Sequence, residues 1–354
     1  MKKTGIRDVA ERAGVSLTTV SHVLNGKPHT RVTEKTAERV KSAASELGYI
    51  PNRMARGLRN MASDLIGLVA EEIAVTPYAG KILTGAQEEA TKHNLTLAII
   101  NAELSRSVSF NENGVQALID RDAEGIIYAT VFHDVISASE NMLNIPCVLI
   151  GATEIDSRID SIRPDEFSAA LEVVKMLHEF GHTKIAYAAS SDDVPATNGR
   201  ILGYLEGMTV AGLSTDNLVS HGEGTATGGY LAANQLLKEK PTAIFCYNDR
   251  MAMGVYRAAS EAGLRIPQDL SVVGFDDQAP IPEGLYPSLT TVALPHYEMG
   301  VGAVKLLLKR LKKQAPLKPN SGKEIQIPCP VVHRDSVARL APKGETSNRK
   351  IENK

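Results

Sequence analysis

The sequence contains few cysteines, few aromatic residues and no long apolar run. Its 354 residues include three cysteines, six phenylalanines and no tryptophan. Cys147, Cys246 and Cys329 are far apart and form no Cys-x-x-Cys pair, so neither a disulfide framework nor a zinc site is expected, and a reducing cytoplasm fits. No stretch reaches the roughly 18 consecutive apolar residues of a membrane helix. The basic start is followed by no apolar run either, which argues against a secretory signal.

The near-neutral net charge of −2 conceals two parts of opposite sign. Residues 1–60 contain 12 Lys and Arg against 5 Asp and Glu, whereas the rest of the chain contains 27 against 36. A small basic head on an acidic body indicates a polyanion partner for the head alone. A solvated, charged helical surface is the alternative interpretation of the same charges. At about 150 residues per domain, the length predicts two or three domains.

Three short helices are predicted in the head, each with apolar residues at helical spacing. These are Ile6, Val9, Ala10 and Ala13, then Val20, Val23 and Leu24, then Ala37, Val40, Ala44 and Leu47. Gly14 permits a tight turn after the first helix, while Ser16 and Thr33 are suitable caps for the second and third. The spacing from Ala10 through Gly14 to Val20 predicts a helix-turn-helix.

Four side chains point outward near the N-terminal end of the second predicted helix, where a recognition helix meets base edges. They are Leu17, Thr18, Ser21 and His22. A three-helix bundle that binds no DNA is the alternative.

The head resembles the lactose/galactose repressor (LacI/GalR) family of bacterial transcription factors. The motifs that carry the resemblance lie in residues 6–16, 18–26, 32–33, 39–40, 46–52 and 55–58, and the match continues to about residue 340. Gly5 departs from it, because the family commonly has a Thr cap there.

The resemblance implies which residues contact DNA. They are Ser16, Leu17, Thr18, Thr19, Ser21, His22, Asn25, Arg31, Asn52, Ala55, Arg56 and Leu58. By composition alone, the short basic segment 51–63 reads as a flexible tether, since it buries too little surface for a stable helix. The resemblance implies instead a hinge helix that folds on operator binding, with Leu58 wedged into the minor groove of a bent operator.

The body alternates short β-rich runs with amphipathic helical segments, which predicts parallel sheets with crossover helices. The candidate strands are 65–70, 95–101, 125–129, 147–150, 184–189, 243–247, 271–275 and 290–293. The predicted fold class is therefore an all-α helix-turn-helix head plus an α/β body, and the resemblance implies two periplasmic-binding-protein-like lobes. The predicted parts are a head at 1–50, a hinge at 51–63, lobes at 64–161 with 294–324 and at 162–293 with 325–340, and a disordered tail at 341–354.

Polar residues follow several predicted strands, where α/β sheets bind ligands. The candidates are Tyr78, Thr130, Asp165, Arg200, Asn248 and Asp276. Each has an ordinary alternative, because an Asp or Asn after a strand usually caps a helix, an Arg on a helix is usually solvated, and a Tyr usually packs. The resemblance implies that these positions line a pocket for a sugar or related polyol. Glu166 departs from the Asp-Asn pair that is commoner in the family. Ala79 and the small residues at 222–226 disfavour a purine.

The resemblance implies a ligand-responsive, cytoplasmic repressor of a carbohydrate-utilisation operon that binds a palindromic operator as a homodimer. The tail lacks apolar heptads, so a coiled-coil tetramer is not supported. The alternative is a catabolite-control or nucleoside-type regulator, whose effector is a partner protein, a phosphorylated sugar or a nucleoside. An enzyme is not expected, because no nucleophile–base pair, metal cluster or phosphate-binding glycine loop stands in the sequence. No cofactor, metal or membrane partner is expected.

Overall fold

A computed structural model of the protein describes residues 5–24, 32–49, 63–71, 80–102, 112–313 and 318–340, and gives the backbone alone for 102, 131–134 and 313. It divides into two compact units, Met1–Ser63 and Asp64–Lys354. The predicted hinge and tail lie outside the described residues, except for Ser63. No described helix is long and apolar enough to cross a membrane.

The first unit contains the three predicted helices. They are α1 Ile6–Ala13, α2 Leu17–Leu24 and α3 Glu34–Glu46. Val9, Val20 and Val40, one from each helix, are fully buried in a common small core. Gly14 turns the chain after α1 with φ of 62°, a conformation that glycine adopts without steric cost. An exposed ion pair, Arg12–Glu46 at 2.7 Å, joins α1 to α3.

Of the two predicted helix caps, Ser16 makes the expected hydrogen bond and Thr33 does not. Ser16 Oγ accepts a hydrogen bond from the Thr19 backbone N–H at 3.1 Å, as an N-cap does. Thr33 stands at the N-cap position of α3, but its hydroxyl lies 2.9 Å from the Thr36 hydroxyl and makes no cap hydrogen bond. At the start of α1 the Asp8 carboxylate accepts from the Gly5 N–H at 2.7 Å. Asp8 therefore supplies a capping contact where Gly5 has no side chain to provide one.

The second unit alternates strands and helices. Its strands are β1 Leu65–Glu71, β2 Thr96–Ala102, β3 Ile126–Ile136, β4 Cys147–Glu154, β5 Asp160–Pro164, β6 Ile185–Ser190, β7 Val219–Gly222, β8 Ala243–Cys246, β9 Ser271–Val273, β10 Thr291–Val292, β11 Glu324–Ile327 and β12 Val331–Val332. Its helices are α4 Gly80–Lys92, α5 Glu112–Ile119, α6 Glu140–Asn144, α7 Glu166–Glu179, α8 Pro195–Val210, α9 Ala226–Leu236, α10 Asp249–Glu261, α11 Ile281–Gly284 and α12 His296–Lys313.

Two parallel sheets organise this unit, as predicted. The first has the order β11-β5-β4-β3-β1-β2 and the second the order β7-β6-β8-β9. The first sheet buries apolar side chains on both faces, and α4 and α12 pack together beside one of them. Strands β6 and β8 are entirely buried, which explains their nearly continuous apolar sequences. A short antiparallel pair, β10 with β12, stands apart from both sheets.

All eight predicted strands are present, and four further strands were not predicted. β5, β7, β11 and β12 are short, and β11 is a polar, mostly exposed edge strand. The predicted lobe boundaries after 161 and 324 fall inside β5 and β11. Because these two strands pair with each other and belong to the first sheet, the chain leaves that sheet a few residues later than predicted.

Candidate functional site

The outer residues of α2 form the candidate DNA-reading surface. Ser16, Leu17 and Thr18 are exposed, and Thr19, Ser21 and His22 are half-buried. The buried Val20 holds α2 against the other two helices, so the exposed residues stand on a fixed support. The first backbone N–H groups of a helix attract anions, which suits contact with DNA phosphate. The remaining predicted contacts lie outside the described residues: Asn25, Arg31, Asn52, Ala55, Arg56 and Leu58.

In the second unit, a buried ion cluster lies near the carboxyl ends of the second sheet. Arg200 comes from the second turn of α8, Glu166 begins α7, and Asp276 follows β9. The relative exposures are 4% for Arg200, 5% for Glu166 and 6% for Asp276. Buried charges persist only when they are paired and hydrogen-bonded, and burying them costs folding free energy. The packing of the core alone does not explain why the cluster is present.

The Arg200 guanidinium is held on several sides. Its Nε donates to Glu166 Oε2 at 2.6 Å, its Nη2 donates to Glu166 Oε1 at 3.2 Å, and its Nη1 donates to the Tyr247 carbonyl at 2.5 Å. Its Nη2 also lies 3.0 Å from Asp276 Oδ1. The guanidinium carbon is 3.9 Å from the centre of the Phe275 ring and 4.6 Å from that of the Tyr247 ring. Bidentate pairing and aromatic contact fix both its position and its plane.

The backbone of Asp276 is strained, and one oxygen of its carboxylate lacks a hydrogen-bond donor. Its φ is 102° and that of Asp277 is 50°, in the region that L side chains rarely adopt. Asp276 Oδ1 forms an ion pair with Arg200 Nη2 at 3.0 Å, but this buried oxygen accepts no hydrogen bond from the described residues. Backbone strain combined with an unsatisfied buried acceptor is typical of a functional position. A ligand hydroxyl or ammonium group would supply the missing donor.

Burial and charge act in opposite directions on these groups. Burial raises the pKa of Asp276 to about 6; Arg200 opposes this rise, and Glu166 adds to it. Burial opposes the charge of Arg200, yet the carboxylates of Glu166 and Asp276 hold the pKa of its guanidinium well above the usual value. Burial also raises the pKa of Asp249 to about 7, with a further contribution from Asp276. The site thus holds more acidic than basic groups.

The other predicted ligand residues have partners within the protein. Asn248 Oδ1 accepts from the Met251 N–H at 2.8 Å, and its Nδ2 donates to the Gly224 carbonyl at 3.1 Å. Asp165 Oδ1 caps α7 through the Ser168 N–H at 3.0 Å. The Thr130 hydroxyl donates to the Gly151 carbonyl at 2.7 Å and belongs to the first sheet.

The structure therefore brings Arg200 and Asp276 together, with Asn248 next to the Tyr247 carbonyl that Arg200 contacts. It gives Asp165, Thr130 and Asn248 helix-capping or hydrogen-bonding partners of their own. Tyr78 lies outside the described residues.

Sequence reasoning missed three members of the cluster: Glu166, Tyr247 and Phe275. In the sequence Glu166 stands out only as a departure from a family pattern, and the two aromatic residues belong to predicted strands. The available signal was adjacency, because Glu166 follows Asp165, Tyr247 precedes Asn248, and Phe275 precedes Asp276. Adjacency in sequence does not reveal which side chain meets Arg200, since that contact joins α7 to α8 across 34 residues.

Two family patterns match the chain. The one described as bacterial regulatory proteins, lacI family, covers residues 5–52, and the periplasmic binding protein-like domain covers residues 174–337. Catabolite control protein A of Priestia megaterium is 31% identical over 87% of this chain and 93% of its own length. The HTH-type transcriptional repressor PurR of Vibrio atlanticus is 32% identical over 95% of this chain and 99% of its own.

Solved structures of the same architecture cover most of the chain. A lac repressor dimer bound to operator and an anti-inducer has a TM-score of 0.75 and 28% identity, and covers 95% of this chain and 100% of that one. A CelR–cellobiose complex has a TM-score of 0.63 and 26% identity, with 94% and 99% covered. A ribose-bound regulator from Enterococcus faecium has a TM-score of 0.61 and 26% identity, with 78% and 100% covered.

These matches identify the class as ligand-responsive, DNA-binding transcriptional repressors with a helix-turn-helix head and a two-lobed α/β body. The chain belongs to the lacI family of bacterial regulatory proteins. The predicted family and fold class are thereby confirmed.

Proposed function

We propose that the protein is a dimeric repressor that binds a palindromic operator and changes its operator affinity when a sugar or related polyol binds the body. The buried Arg200–Asp276 cluster carries the effector part of the proposal, because Asp276 Oδ1 lacks a donor that a ligand hydroxyl would supply. The sugar-bound relatives support the ligand class. Control of a carbohydrate-utilisation operon and a cytoplasmic location follow from this reading, and no catalysis is proposed.

The predicted residues take defined roles in this proposal. Arg200 and Asp276 hold ligand hydroxyls, with Tyr78, Thr130, Asp165 and Asn248 as further lining positions. Ser16, Leu17, Thr18, Thr19, Ser21 and His22 contact base edges and phosphates. A head that reads one half-site needs a second head about one helical turn away to bind a palindrome, which supports the dimer. The operator-bound relative is itself a dimer.

Operator affinity measured with and without sugars tests the proposal. We expect a sugar in the panel to change the Kd of the full chain for a selected palindromic DNA by about five-fold or more, which is a typical coupling between sites. Arg200→Lys should bring that factor close to one, because lysine cannot reproduce the bidentate contact. Arg257→Lys is the matched control, since Arg257 is an exposed residue of α10. Binding of no palindrome, or equal responses from both variants, would contradict the proposal.

The second candidate is a catabolite-control regulator, which the similarity to catabolite control protein A favours. In that case a phosphocarrier protein or a phosphorylated sugar, rather than a free sugar, would change operator affinity. Adding each to the same DNA-binding assay separates the two candidates. A response to free sugar alone supports the first.

A further inference from the structure

Glu166 occupies the part of Arg200 that could otherwise bind a ligand. A guanidinium offers five N–H donors. Two of those of Arg200 are donated to Glu166 at 2.6 and 3.2 Å, and one is donated to the Tyr247 carbonyl. Nη2 also forms an ion pair with Asp276, whose Oδ1 lies 3.0 Å away but accepts no hydrogen bond from the described residues. Glu166 thus occupies the Nε–Nη2 pair of donors, so a carboxylate or phosphate group would find that pair already taken.

The cluster also contains more negative than positive charge. Two carboxylates, Glu166 and Asp276, share the single guanidinium of Arg200, and all three side chains are about 95% buried. A third acid, Asp249, is fully buried nearby, and its carboxylate accepts hydrogen bonds from Thr291 and from the Gln278 N–H. Arg250, an exposed residue, is a further cation that acts on Asp276. An added anion here would be repelled, whereas an added cation would offset the excess charge.

Asp276 Oδ1 determines what kind of group completes the cluster. It is a buried acceptor with no hydrogen-bond partner, and leaving such a group unpaired is costly. A hydroxyl or ammonium group can donate to it, whereas an ionised carboxylate or phosphate ester oxygen cannot. Hydrogen-bond chemistry and charge therefore both disfavour an anionic group next to this oxygen.

We propose that Glu166 determines the charge selectivity of the effector site, which prefers an amine-bearing polyol over a neutral one and excludes phosphorylated and acidic sugars. This inference rests on the proposed function, because it takes Arg200 and Asp276 to line the effector site. It accounts for the Asp165-Glu166 pair that stands where the family more often has Asp-Asn. With an amide at position 166, Asp276 alone would balance the charge of Arg200, and the glutamate adds one further negative charge.

Isothermal titration of the full chain with charge-matched probes tests the proposal. The probes are glucosamine, glucose, glucose 6-phosphate and glucuronate, with the corresponding compounds of the galactose and ribose series. The wild type should bind the amine of a bound series about tenfold more tightly than the neutral sugar, and the anions at least tenfold more weakly, an effect comparable to the interaction of two unit charges about 4 Å apart in water. Glu166→Gln keeps the shape and an acceptor oxygen for Arg200 but removes the charge. It should lose the amine preference and gain anion binding by about tenfold.

Glu172→Gln is the control, because Glu172 is an exposed acid on the same helix whose partner is Lys175. It should rank the probes as the wild type does. An unchanged ranking in Glu166→Gln, or anions that bind the wild type as tightly as neutral sugars, would overturn the charge selectivity while leaving the sugar site standing. If Glu166→Gln fails to fold, the order of affinities of the wild type for the amine, neutral and anionic probes decides the proposal by itself. Binding of no probe by any of the three proteins would overturn the proposed sugar site itself.

Discussion

At the scale of single residues, the buried ion cluster is a cost to stability and the proposed means of effector recognition. Replacing Arg200 by alanine would leave Glu166 and Asp276 facing each other without a cation, and breaking a buried pair in this way costs about 3–5 kcal/mol. Such a variant would report on unfolding as much as on binding. Variants that keep the shape or the charge, such as Arg200→Lys and Glu166→Gln, are therefore the informative ones.

Asp276 should make stability depend on pH. Its pKa is about 6 in the folded protein against an ordinary 3.8, so the folded state binds the proton more tightly than the unfolded state. The penalty for its charge is therefore full above about pH 6 and disappears as the pH falls towards 4. We expect Asp276→Asn to be more stable than the wild type at pH 8, by a margin about 2 kcal/mol larger than at pH 4.5.

Urea unfolding of both proteins at the two pH values measures this margin. The charged groups that act on Asp276 are Arg200, Glu166, Asp249 and Arg250, and all remain in the variant. His182, whose pKa is lowered chiefly by burial, has the opposite pH dependence, but it is common to both proteins and cancels in the difference. A margin that does not change with pH would show that Asp276 is not perturbed.

At the scale of elements, a stripe of glycines on α8 sets the distance to α7. Gly199, Gly203 and Gly207 are spaced one turn apart, and a Cβ at Gly203 would lie 2.2 Å from the Phe167 carbonyl. A Cβ at Gly207 would lie 2.8 Å from the Val174 Cβ. This close approach is what allows Arg200, on α8, to reach Glu166, on α7.

Gly203→Ala should force the two helices apart. We expect it to lower the free energy of unfolding by about 2 kcal/mol, as overpacking typically does, and to weaken sugar binding because the Arg200–Glu166 contact is displaced. Gly80→Ala on α4 is the control, since no atom of the described residues lies within 4 Å of a Cβ there. Thermal unfolding and titration with the best sugar measure both effects. Equal stability of the two variants would contradict the role given to the stripe.

At the scale of the whole molecule, the proposed effector site and the proposed DNA surface belong to different compact units. A regulator that couples two such sites must do so reciprocally. We expect the factor by which a saturating sugar changes operator Kd to equal the factor by which operator DNA changes the sugar Kd. Anisotropy with labelled DNA and calorimetry with sugar, both on the full chain, measure the two factors. Unequal factors would mean that the sugar acts on something other than a linked equilibrium.

The head was predictable almost residue by residue because its contacts are local. Val9, Val20 and Val40 could be assigned to the core from helical spacing, and Gly14 and Ser16 from the demands of a turn and a cap. The body was predictable only in outline. Buried strands such as β6 and β8 were evident as apolar runs, whereas β5 and β11 are short and polar and become strands only through pairing with each other.

The sequence by itself determined the class of the protein, through its resemblance to a known family. It also determined the three-helix head and the alternation of strands and helices, because these depend on the spacing of residues that are close in sequence. The tertiary structure alone decided which acid meets Arg200. Glu166 and Asp276 are distant from it in sequence by 34 and 76 residues, and their contacts exist only after α7, α8 and the end of β9 have packed together. The charge of the candidate pocket is a property of that packing, since it depends on how many acids share one guanidinium.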